Sequence, residues 1–152
     1  MTAKLRKHIA QQTITYGGKQ AKSIEKPESF LSKHPSWRFE RADTEYRWSI
    51  VYAGFSEIIR SLRNFERMTW GEIAKQTHDN GKSSNHYVAL NDLCKEAQKR
   101  FSELNLEEYA DQVYSLRLMN KTRIYGILRD GIFSILWYEE EHEIYPSVKK
   151  HT

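Results

Sequence analysis

Three apolar-rich runs, Val113 to Leu118, Thr122 to Leu128 and Ile132 to Tyr138, follow one another with only Met119-Asn120-Lys121 and Arg129-Asp130-Gly131 between them. Asp-Gly between apolar runs is a strong hairpin signal, because a two-residue hairpin turn needs positive φ at both central positions. The last third of the chain is therefore expected to be an antiparallel meander. Glu139 to Glu143 interrupts it with acid, and Ile144-Tyr145 is expected to add a short final strand before Pro146.

Upstream the period changes. Trp37-Arg38-Phe39-Glu40-Arg41 alternates aromatic with charged and reads as a short strand. From about Thr44, the residues Val51, Phe55, Ile58, Leu62 and Phe65 recur at helical spacing, which predicts an amphipathic helix of about five turns. Thr69-Trp70-Gly71-Glu72 fits a capping box that opens a second, short helix to about Gln76. His78 to His86, with Asn80-Gly81 and Ser83-Ser84, reads as a polar loop. Asn91 is the expected cap of a third helix marked by Leu93, Ala97, Phe101 and Leu104. The fold class is thus α+β: an N-terminal strand and helices packed on a C-terminal antiparallel meander of three or four strands. The helices are expected on one sheet face, leaving the other partly open for chemistry.

Aromatic residues make up 12% of the 152 residues and charged residues 29%, so most of the chain is expected to fold. Net charge is +4, and all of it lies in residues 1–30, where Lys4, Arg6, Lys7, Lys19, Lys22 and Lys26 face only Glu25 and Glu28. A basic flexible arm over 1–30 and an α+β domain over 31–152 follow. Such an arm can contact phosphates through counterion release, or be a solvated tail. No run approaches the roughly 20 apolar residues of a membrane span, and no apolar region follows the first lysines as in a secretory signal. A single Cys94 excludes a disulfide framework and a cysteine zinc cluster within the chain, so the cytoplasm is the expected compartment. The spacing of His78 and His86 matches no recognised metal-ligand pattern, and neither metal nor cofactor is expected.

Chemistry concentrates on the meander. Arg117 and Arg123 flank the first turn, so antiparallel pairing brings them together. Two adjacent guanidiniums repel unless an anion lies between them, and their planar forks suit phosphate. Lys121 at the turn, Tyr125 beyond Arg123, His142 and Tyr145 are candidates to complete the group, with Lys82 in the polar loop as a further nucleic-acid contact. Such a set can stabilise a phosphorane and transfer protons without a metal. The plainer alternative pairs both arginines with Glu139 to Glu141. Those glutamates are also expected to favour protonated His142.

Tyr114-Ser115-Leu116-Arg117-Leu118, Lys121-Thr122-Arg123-Ile124-Tyr125-Gly126, Ile132 to Trp137 and His142-Glu143-Ile144-Tyr145 together resemble the closing strands of the RelE/ParE-like bacterial toxin family. The resemblance spans about residues 36–146. It implies a β-α-α-β-β-β order, functional positions at Arg117, Arg123, His142 and Tyr145, and a toxin that is an endoribonuclease acting on messenger RNA at the ribosome, with a cognate antitoxin as partner. The gyrase-inhibiting branch of the family is no nuclease. The alternative is a non-catalytic protein- or nucleic-acid-binding module.

Overall fold

The computed structural model describes residues 30–146, so all but the last residue of the expected basic arm lies outside the described residues. The elements are β1 (Ser36–Arg38), α1 (Phe55–Glu66), α2 (Trp70–Lys75), β2 (Thr77–His78), β3 (Lys82–Ser83), β4 (His86–Ala89), α3 (Lys95–Glu103), β5 (Gln112–Met119), β6 (Thr122–Arg129) and β7 (Ile132–Glu139). Five strands form one mixed sheet in the order β1-β7-β6-β5-β4, with β1 parallel to β7 and every other pair antiparallel. This is an α+β fold built around the expected meander.

The meander follows from its turns. Asp130 (φ 53°) and Gly131 (φ 77°) hold the left-handed conformation that joins β6 to β7, and Asn120 (φ 45°) does so between β5 and β6. The indole of Trp70 donates to the carbonyl of Gly131 at 2.9 Å, which seats α2 on the β6–β7 turn.

Both sheet faces are covered, against the expectation of a one-sided sheet. On the first face Ile58, Leu62 and Phe65 of α1 and Trp70 and Ile73 of α2 join Leu116, Ile124, Phe133 and Ile135 in one cluster. On the second face Ala97 and Phe101 of α3 pack with Val113, Tyr125, Ile127 and Trp137. The reason is legible in β6 and β7, whose apolar residues run nearly without interruption. A strand buried on both faces loses the in-out alternation of a half-exposed one. Cover on the second face is incomplete, because Ser115 and Arg117 continue the Val113 row and Arg123 continues the Tyr125 row beyond the α3 cluster.

Several local expectations shift. The long helix from Thr44 is only α1. Before it, Ser49 caps a 3-10 turn at Ile50–Tyr52 and Gly54 starts the helix, so Val51 and Phe55 are 61% and 80% exposed and belong to no core. Thr69 Oγ accepts from the Glu72 amide at 3.2 Å, as expected of the cap. Asn91 lies in a second 3-10 turn, Leu90–Asp92, and Cys94 occupies the N-cap of α3 without a side-chain hydrogen bond. The expected polar loop folds as the β2–β3 hairpin, with Asp79, Asn80 and Gly81 all at positive φ, followed by edge strand β4. The helices therefore do not precede the sheet as one block, since β4 separates α2 from α3. Ile144 and Tyr145 lie in a bend, not a final strand.

Candidate functional site

The uncovered end of the second face forms a cleft of about 670 Å³, walled by the β2–β3 hairpin, the β5–β6 turn and the segment after β7. Arg117 and Arg123 are direct cross-strand partners, which places both side chains on this face. Like charges directly opposite on a sheet destabilise it. Neither forms an ion pair with a described carboxylate, so the pairing with Glu139 to Glu141 weighed from the sequence does not occur.

The two arginines are held differently. Arg123 is buried, and its Nη1 donates to the carbonyls of Asn120 (2.8 Å) and Thr122 (3.1 Å), bracing the turn. Burial, and then the charge of Arg117, push its pKa below the usual arginine value. The Arg117 backbone amide donates to Asn85 Oδ1 at 2.9 Å, while its buried Nη1 has no hydrogen-bond partner. An orphaned guanidinium donor facing a second cation is the donor set an oxyanion satisfies.

Lys82 on β3 and Lys121 at the turn also line the cleft, both exposed. Among the described residues that line it, Asp79 is the only carboxylate. The acidic stretch instead lines a separate depression of about 250 Å³ with Arg47, Trp48 and Tyr52.

His142 enters the cleft from the segment after β7, half-buried, with φ 59° and an unpartnered Nδ1. Its pKa lies below 6.5, because burial and then the charges of Arg123 and Lys121 disfavour the imidazolium. This corrects the expected protonated histidine. Glu139 turns to the backbone of Glu143 and Ile144, and Glu140 accepts from the Tyr138 hydroxyl, so neighbours in sequence are not the charges the ring meets. Tyr145 also lines the cleft, its ring edge-on to His86 at 5.9 Å.

Tyr125 alone of the expected residues is not at the cleft surface. It is fully buried among the α3 cluster, and burial raises its pKa well above 10. His78, His86 and Ser115 were not expected to line the site. Asn80-Gly81 was their signal, since a hairpin there returns Lys82 beside His78. His78 Nδ1 lies 3.1 Å from Ser84 Oγ, and burial followed by Arg117 lowers its pKa.

Among the described residues no group of three His, Cys, Asp or Glu side chains is placed to hold a metal ion, and no helix is long and apolar enough to cross a membrane. No family model, curated protein or solved structure matches the chain.

Proposed function

We propose that the chain is a RelE/ParE-like toxin that binds messenger RNA in the cationic cleft and cleaves it without a metal. The reading is carried by one observation: two arginines opposed on neighbouring strands, without a described carboxylate partner, in the same cleft as a histidine whose protonated form burial and neighbouring cations disfavour. In this scheme Arg117, Arg123 and Lys121 bind the scissile phosphate and stabilise the charge gathering on its oxygens. Neutral His142 takes the proton of the attacking 2′-hydroxyl, and the Tyr145 hydroxyl protonates the leaving 5′-oxygen. The products are a 2′,3′-cyclic phosphate and a free 5′-hydroxyl. Lys82 follows the RNA backbone. A ribosome-associated target, a neutralising antitoxin and a cytoplasmic location belong to the same proposal.

The test is cleavage of an end-labelled single-stranded RNA by the full chain in excess chelator. Expected are cyclic-phosphate ends, a loss of about 10² to 10⁴ in rate for His142→Ala, and weaker RNA binding with loss of cleavage for Arg117→Ala with an unchanged circular dichroism spectrum. Expression of the wild type should arrest growth, and the Arg117→Ala, Arg123→Ala pair should not. A second reading, a cleft that binds RNA without cutting it, is favoured by the withdrawal of Tyr125 into the core, which removes one proton donor. Binding without cleavage selects that reading. Absence of binding refutes both.

A further inference from the structure

The segment that carries His142 and Tyr145 into the cleft has neither helix nor strand of its own, so something else must hold it. Glu139 ends β7 directly opposite Arg123, on the cleft face, and is 4% exposed. Its Oε2 accepts from the amide of Glu143 at 2.7 Å and from that of Ile144 at 3.0 Å. One carboxylate oxygen thus closes a ring across residues 140–142, with His142 near its apex in the left-handed region. That conformation persists in a non-glycine residue only where its surroundings impose it. Beyond the ring, the Ile144 carbonyl accepts from the Cys94 amide at 2.8 Å and the Ile144 side chain is fully buried beside α3. The far side of the segment is anchored to the core, and the near side rests on Glu139.

We infer that Glu139 is a positioning residue: its carboxylate clamps residues 139–144 so that His142 is presented to the two arginines. This deepens the cleft reading proposed above and rests on it. Two properties of Glu139 are separable. Its reach sets the position of His142, whereas its negative charge, buried opposite Arg123, tempers the pull of the cleft on anions. Glu139→Gln keeps an oxygen at full reach and removes the charge. Glu139→Asp keeps the charge and retracts it by one methylene, out of reach of both amides. Glu139→Ala removes both.

The decisive experiment titrates the His142 imidazole by NMR in the full-length wild type and the three variants, with inorganic phosphate as the anion probe and RNA cleavage measured in parallel. In Glu139→Asp and Glu139→Ala the imidazole midpoint should return toward 6.5 as the ring leaves the cationic cleft. The cleavage kcat should fall by about 10²-fold in both, with KM nearly unchanged in Glu139→Asp, where the charge and the arginines that hold the RNA are kept. Glu139→Gln should keep the depressed midpoint and the wild-type kcat, and bind phosphate more tightly. An unchanged His142 midpoint in folded Glu139→Asp overturns the inference, and that variant decides the matter if Glu139→Ala does not fold. If the wild type cuts no RNA, the proposed activity fails while the titrations still decide whether Glu139 places His142.

Discussion

Arg117→Ala is the most direct perturbation of the cleft, because this side chain makes no ion pair with a described residue and its loss spares the bracing bonds that Arg123 makes to the turn. Among the described residues four basic side chains, Lys82, Arg117, Lys121 and Arg123, line the site. Each phosphate neutralised on a single strand contributes about −0.7 to the slope of log K against log salt, so full engagement gives a cleft slope of roughly −2.8. Affinity should then drop about 50-fold between 50 and 200 mM salt by that relation. Arg117→Ala should flatten the slope by about 0.7, leaving a drop of roughly 20-fold from the cleft. Residues before Phe30 are common to both proteins, so the difference between variants isolates the cleft. Fluorescence anisotropy of a labelled single-stranded RNA across a salt series measures it. Parallel lines for wild type and Arg117→Ala would show that Arg117 touches no phosphate, and the cleft would lose its assigned ligand.

Three further outcomes follow from the same structure. Gly126→Ala should destabilise by about 1–3 kcal/mol in urea unfolding, since a methyl there would overlap the Ser134 carbonyl oxygen and the edge of the Phe133 ring. Asp43 is buried and accepts from Arg100 Nε and Nη2, each at 2.8 Å, and from the Trp137 indole at 3.1 Å. Asp43→Ala leaves Arg100 only its Nη1 bond to Glu103 Oε2 at 3.2 Å and should cost about 3 kcal/mol by the same assay, the lower end for a broken buried pair. Finally, His78 and His142 have folded-state pKa values depressed below 6.5, so the unfolded chain binds their protons first. Stability should fall as pH drops below about 6.5, and the fall should be shallower in a His78→Asn, His142→Asn double variant. Glu139, raised by burial, has the opposite sign and weakens the fold as pH rises through its midpoint.

What the sequence disclosed was local. The strand limits of β5, β6 and β7 fall within about a residue of the apolar runs, because Asp130-Gly131 and Asn120 are turn formers whatever surrounds them. Turn-closed strands also brought Arg117 to Arg123 by register alone. The remainder depends on contacts distant in sequence. The parallel pairing of β1 with β7 joins residues nearly a hundred positions apart, and β4 is a four-residue edge strand with no clean alternation. His142 shows the limit most clearly. Its sequence neighbours are acids, whereas its neighbours in space are Arg123, Lys121, His78 and Arg117, and only the fold could exchange one set for the other.

One extra residue connects the core to the site. Up to Gly126–Ile135 the β6–β7 pairing follows one register, and from Tyr125–Trp137 onward it is shifted by one, with Leu136 the unpaired residue. A bulge changes which face each later residue addresses. Because of it, Leu136 and Trp137 both pack on the α3 side, and Glu139 comes to lie opposite Arg123 on the cleft face. Without it Tyr138 would take the cleft face, and Glu139 would be driven among Ile124, Ile135 and the helix α1 side chains. Gly126 permits the bulge, since only a residue without a Cβ fits against the Ser134 carbonyl there. Gly126→Ala should therefore do more than weaken the sheet. If it folds by restoring regular pairing, His142 should lose its depressed midpoint together with its clamp, even though no residue of the cleft has been replaced.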